Sequence, residues 1–229
     1  MVGSLTDMIK FAVGIKQSQP KTSFMSSRLS SPEQANDTVG LADVSGSMAR
    51  RDIWPSRVAA AQQSYCEFVQ TRSRLSETDR MAVIAFNHTA DVVLGLTSIL
   101  EKATIIEAIE RLPIGGGTSL KAGLRAAEKI FFKDGPTANG RLRRILLLTD
   151  GHGGTAIRLA QKLQQSGILI EVIGIGGDPS EVNEPLLKKI ATTDAAGLTH
   201  YWFIKDAAGM VQRFHELATG LVVRDSEDD

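Results

Sequence analysis

The chain has almost no cysteine, no long apolar run and no net charge, and each absence closes off a class of protein. Cys66 is the only cysteine among 229 residues, so no disulfide can form within the chain. It lies inside a helical pattern and reads as a packed or half-buried thiol. No apolar stretch approaches the roughly 18 residues that mark a membrane span. The 26 Lys and Arg are balanced by 26 Asp and Glu. A phosphate backbone calls for a basic surface, so nucleic acid is not the expected partner. Near the start, Asp7 and Lys10 interrupt the apolar pattern and no small-residue cleavage site follows. That argues against a secretory signal and for a cytoplasmic location. No Gly-Lys-Ser/Thr follows the run Gly115-Gly116-Gly117, and no dinucleotide fingerprint fits it, so nucleotide binding is not expected. His88 and His152 have no cysteine or second histidine at zinc spacing and read as surface histidines.

What is present is a regular alternation of apolar strands and amphipathic helices. With 42% hydrophobic residues, the chain can bury the core of one α/β domain. Strands are expected at Val39–Ala42, Met81–Phe86, Asp91–Leu96, Ile145–Leu148, Ile168–Ile175 and His200–Ile204. Helices are expected from Pro55 and over Ile99–Leu112, from Leu120, over Ile157–Gln165 and Val182–Ile190, and after a cap at Asp206. The turn at Asn87-His88 is so short that the second and third strands must form an antiparallel hairpin. The predicted fold is therefore α/β: a doubly wound, mostly parallel six-stranded sheet with one antiparallel edge strand and helices on both faces. Residues 1–37 read as an arm, with one short helix over Leu5–Ile15 and a polar linker from Gln17. Residues 38–221 form the domain, and 222–229 read as an acidic, disordered tail.

Three loops carry candidate chemistry. Asp43-Val44-Ser45-Gly46-Ser47 follows the first strand, and its carboxylate and two hydroxyls can turn toward one point. An all-oxygen set of this kind suits a hard cation, above all Mg²⁺ or Mn²⁺. Taken alone, these residues could merely cap the next helix. Thr118 follows the glycine run, and Asp150 directly follows the fourth strand. In a doubly wound sheet all three loops reach the carboxyl edge, where ligands bind. Trp54 reads either as a contact residue at this rim or as a cover for the first helix. His152 falls on the same rim.

The three pieces Asp43-Val44-Ser45-Gly46-Ser47, Gly117-Thr118 and Thr149-Asp150-Gly151, in this order, resemble the metal-ion-dependent adhesion site of the von Willebrand factor A domain family. The likeness runs from about Thr38 to Leu221 and includes Asp79-Arg80 and the strand end Leu94 to Thr97. The first strand departs from the family pattern in its small residues Gly40 and Ala42, which read as close packing. The resemblance implies that the hydroxyls of Ser45, Ser47 and Thr118 ligate a cation directly. It implies that Asp43 and Asp150 bind directly or through water, and that one position stays open for an acidic side chain of a partner. The function so implied is a non-enzymatic, Mg²⁺- or Mn²⁺-dependent protein-binding module. Its partner would present Asp or Glu, and family analogy places it beside an AAA+ ATPase of the MoxR or chelatase type. Two other readings stand: a Mg²⁺-dependent phosphohydrolase, and a scaffold whose metal is purely structural. Against the first, Ser45 stands where a phosphoaspartate enzyme would carry a second Asp.

Overall fold

In the computed structural model, residues 34–133 and 140–220 are described. The expected helix at Leu5–Ile15, most of the polar linker, most of the surface loop at 133–140 and the acidic tail fall outside those residues.

Six strands form a single sheet: β1 (Asn36–Asp43), β2 (Arg80–Phe86), β3 (Ala90–Ser98), β4 (Leu142–Thr149), β5 (Ile168–Ile175) and β6 (Tyr201–Ile204). Their order across the sheet is β3-β2-β1-β4-β5-β6. All pairs are parallel except β2 with β3. Among the described residues the α-helices are α1 (Arg57–Leu75), α2 (Lys102–Glu110), α3 (Leu120–Phe132), α4 (Ile157–Gln165), α5 (Glu184–Ile190) and α6 (Ala207–Thr219).

Alternation along the strands divides the core in two, because successive side chains point to opposite faces. Met81, Val83 and Ala85 of β2 and Leu146 and Leu148 of β4 pack with residues of α1, α2 and α6. Ala82, Ile84 and Phe86 of β2 and Ile145 and Leu147 of β4 pack with residues of α3, α4 and α5. The central strands are apolar on both faces because both are covered. Cys66 is half-buried against the first of these layers. Burial pushes its thiol up to about 11, with help from the charge of Glu110.

Gly40 shows why β1 is slim. A Cβ there would lie 2.8 Å from Met81 Cε and 3.2 Å from Tyr65 Cε1. Tyr65 uses this space to lie against the sheet, where its hydroxyl donates to Leu146 O at 2.9 Å. Close packing, as the small residues suggested, is what the strand provides.

Several element ends differ from those expected. β1 begins at Asn36, two residues before the domain start expected from the sequence. These polar residues are buried because their bonds are satisfied. Asn36 donates from its backbone and side chain to Asp79, and Asp37 pairs with Arg80 and Arg141. The two arginines outweigh the effect of burial and hold the Asp37 carboxyl below its usual range. Pro55 is not in the first helix; Ser56 caps it, accepting from Ala59 N at 3.2 Å. The second helix is shorter than Ile99–Leu112 and buries Ile105 and Ile109, while Ala103 is exposed. Asn183 caps α5 at Leu186 N, so Val182 stays outside. Asp206 caps α6 as expected, accepting from Gly209 N at 2.8 Å.

Candidate metal centre

The strand order reverses between β1 and β4, since β1 connects to one side of the sheet and β4 to the other. A crevice opens at such a point beyond the carboxyl ends of the strands. Asp43 is the last residue of β1, and Asp150 directly follows β4. The chain therefore delivers two carboxylates to adjacent strand ends, and both are buried.

Asp43 is held by its neighbours. Its Oδ1 accepts from Ser45 N at 2.9 Å and its Oδ2 from the Thr149 hydroxyl at 2.6 Å. Burial pushes its carboxyl above the ordinary carboxylate range, and the negative charge of Asp150 adds to the effect. The hydroxyls of Ser45 and Ser47 lie 3.1 Å apart. Ser45 occupies the N-cap position of a short 3-10 turn, Gly46–Ala49, but its side chain makes no capping bond. The helix-cap reading therefore does not account for these hydroxyls.

Thr118 reaches the same place through glycine. Gly46 N donates to Gly116 O at 3.0 Å and Gly115 N to Val44 O at 2.8 Å, which ties the glycine run to the Asp43 loop. Gly116 has φ +82°, a conformation that favours glycine. On the other side, a Cβ on Gly153 would lie 2.6 Å from Thr118 Cγ2. The Asp150 loop thus passes directly over Thr118. Ser119, the next residue, is spent on capping α3 at Ala122 N. The Asn87-His88 turn supports the run from beneath, with Asn87 Nδ2 donating to Gly115 O at 2.9 Å.

All five residues singled out from the sequence thus belong to loops that touch one another. The donor set fits a hard cation: two buried carboxylates that repel each other, with neutral hydroxyls beside them and no sulfur or nitrogen in the set. No group of three or more His, Cys, Asp or Glu side chains suited to a metal gathers among the described residues. A cation here would have to draw on hydroxyls as well as carboxylates.

The residues that the sequence reading missed lie beside Asp150. Arg57, 0% exposed, donates from Nε to both oxygens of Asp52 at 2.9 and 3.0 Å. Its Nη2 also reaches Asp52, and it donates to Glu181 Oε2 at 2.5 Å. Its Nη1 approaches Asp150 Oδ2 at 3.4 Å. Gly177 N donates to Asp52 at 2.8 Å and to Glu181 at 3.2 Å. Hydrogen bonding to Arg57 holds the Asp52 carboxyl far below its usual range. Burial alone would lower the Arg57 pKa; the carboxylates of Asp52, Glu181 and Asp150 override it and hold it above the ordinary value. Val58, Ala61 and Tyr65 recur at helical spacing and are buried in α1, but that spacing gives no sign of a buried arginine at the first turn. Thr149 was visible only as part of Thr149-Asp150-Gly151. Trp54 is 82% exposed, so it does not cover α1. His152 Nε2 contacts Glu181 O at 2.7 Å.

Comparison with known proteins agrees with this architecture. Residues 38–152 match the von Willebrand factor type A domain. Over 149 residues, 63% of this chain, the sequence is 30% identical to an uncharacterized protein of Synechocystis sp. and covers 33% of it. Over 179 residues, 77% of this chain, it is 25% identical to calcium-activated chloride channel regulator 1 of Bos taurus and covers 18% of it. The chain therefore spans a third or less of these two relatives. Among solved structures, von Willebrand factor type A from Catenulispora acidiphila is similar with TM-score 0.65 and 29% identity, over 81% of this chain and 42% of that one. BatB from Bacteroides thetaiotaomicron shares the fold, with TM-score 0.64 and 22% identity over 81% of this chain and 98% of that one. The chain belongs to the von Willebrand factor type A domain family.

Proposed function

We propose that this chain is a protein-binding module whose recognition element is a divalent cation, Mg²⁺ or Mn²⁺, held by Asp43, Ser45, Ser47, Thr118 and Asp150. Domains of this family are typically interaction modules, generally without enzymatic activity. The observation that carries the reading is the pair of buried carboxylates, Asp43 and Asp150, at the ends of adjacent strands across the point where strand order reverses. A buried carboxylate pair is costly unless positive charge is brought to it, and the one buried guanidinium described beside it, Arg57, reaches Asp150 only at 3.4 Å.

The chain's own residues would do three things. Thr149 and the Ser45 amide orient Asp43. The glycines at 115–117 let the backbone of the second loop approach the first. The hydroxyls contribute oxygen without adding negative charge. Two carboxylates and three neutral hydroxyls leave a hard dication electrophilic, so it would supply an attraction for an outside carboxylate. The partner would accordingly present an Asp or Glu on an exposed loop, and Trp54 and His152 at the rim would select among such partners. An AAA+ ATPase of the MoxR or chelatase type is the partner class the family resemblance favours. No helix among the described residues is long and apolar enough to cross a membrane.

Capture of partners with Mg²⁺ present and with EDTA, read by mass spectrometry, tests the proposal. A partner retained with Mg²⁺, lost in EDTA and lost from a Ser45→Ala, Ser47→Ala variant supports it. A partner held equally well in EDTA through these loops would show that the cation is not the recognition element.

A further inference from the structure

Arg57 is buried among carboxylates from three different loops: Asp52 before α1, Asp150 after β4 and Glu181 after β5. Its bonds are unequal. Those to Asp52 and Glu181 are close, whereas Nη1 stands 3.4 Å from Asp150 Oδ2, at the outer limit of a hydrogen bond. Among the described residues, the other oxygen of Asp150 accepts only from the backbone N of His152, at 3.2 Å. Asp150 is thus partly claimed by a fixed cation and partly free.

We infer that Arg57 is a positioning residue that sets the affinity of the candidate metal centre. It competes with a divalent cation for Asp150, and Glu181 and Asp52 determine how much of its charge is left for that competition. This inference rests on the reading of Asp43 and Asp150 as cation ligands. Charge explains why such a residue is useful. Without Arg57, the carboxylates of Asp52 and Glu181 would add to those of Asp43 and Asp150. A dication would then be neutralised from within, and an outside acid would gain little by joining it. With Arg57 bonded wholly to Asp150, only Asp43 would attract a cation. The arrangement seen, with Arg57 drawn mainly toward Asp52 and Glu181, lies between these limits. Glu181 also joins the centre to the loop after β5. Arg50 Nη1 reaches its Oε1 at 3.3 Å, and His152 contacts its carbonyl. A partner that engages Glu181 would therefore alter the centre through Arg57.

The experiment is calorimetric titration with MnCl₂ of the wild-type chain and of Arg57→Gln, Glu181→Gln and Asp178→Asn, with thermal denaturation of each. Removing a fixed cation beside the centre should tighten Mn²⁺ binding in R57Q by about tenfold or more. E181Q should weaken it by several-fold, because Arg57 then turns more of its charge on Asp150. Glu181 is one-third exposed, so this change should leave the fold intact. D178N removes the same charge from an exposed position in the same loop whose carboxylate accepts from Ser180, and should leave affinity unchanged. Opposite shifts in R57Q and E181Q support the inference, since an arginine that merely knits three loops together would weaken binding in both or in neither. If R57Q does not fold, E181Q against D178N decides: a weakening specific to E181Q supports the inference, and equal affinities overturn it. Wild-type binding with R57Q weakened overturns the inference alone. A wild-type chain that binds no Mn²⁺ overturns the cation-site reading and this inference with it.

Discussion

Gly153→Ala is expected to damage the centre without changing any candidate ligand. The backbone at Gly153 is not in the left-handed region, so alanine is conformationally allowed there and the effect is purely steric. The added Cβ would stand 2.6 Å from Thr118 Cγ2, 2.8 Å from its Cβ and 3.0 Å from its carbonyl carbon. Carbon atoms prefer separations of about 3.5–4.0 Å, so Thr118 and the Asp150 loop must part by roughly 1 Å. The third contact is to backbone, so a rotamer change cannot relieve it. Overpacking of this kind costs about 1–3 kcal/mol. For a chain of this length that lowers Tm by roughly 2–12 °C. Thr118 is also pushed from its place beside Asp150, and shifts in supporting groups typically lower metal affinity by about 10- to 100-fold. Gly117→Ala is the control, because nothing lies within 4 Å of a Cβ there and its φ is not positive. The assays are thermal denaturation and calorimetric titration with Mg²⁺. Unchanged Tm and affinity in G153A would refute both the contact between these two loops and its role in holding Thr118 at the centre.

Asp79→Ala should destabilise the fold by about 3–5 kcal/mol, measured by urea denaturation. It strands the buried Arg72 guanidinium, which pairs with Asp79, and leaves Asn36 and Ser76 without their acceptor. Stability should also depend on pH through His200, which is fully buried, with neither ring nitrogen in hydrogen-bond range of a partner among the described residues and Asp194 Oδ2 3.8 Å from Nε2. Burial lowers its pKa below the ordinary 6.5, so below that pH the unfolded chain binds more protons than the folded one. Its neutral form is accommodated at and above pH 6.5, and stability should fall as pH drops from about 6.5 through the folded value. In His200→Leu that part of the slope should vanish below about pH 6.5, as read by denaturation midpoints across pH against wild type; an identical slope would exclude His200.

The sheet was legible in the sequence because its strands are apolar runs bounded by turns, and β5 and α4 have the very bounds that pattern predicts. The ends that moved did so where polar residues are satisfied by distant partners. Asn36 and Asp37 read as linker until Asp79, Arg80 and Arg141 are seen around them. The meeting of the three candidate loops was legible because Asp43 and Asp150 directly follow strands that a doubly wound topology brings side by side. Arg57 was not, since its role depends on the convergence of Asp52, Asp150 and Glu181 on it, the last from 124 positions away in the chain. No periodicity within α1 encodes that. Trp54 could be read as cover or as contact from its position, and its exposure excludes the cover.

The most direct test of the central claim is calorimetric titration of wild type, Asp43→Ala and Asp150→Ala with Mg²⁺ and Mn²⁺, with circular dichroism to confirm folding. The account predicts that the wild-type chain binds one cation and that both variants keep their α/β spectrum and lose that binding. Folded variants that bind the cation as tightly as wild type would contradict it.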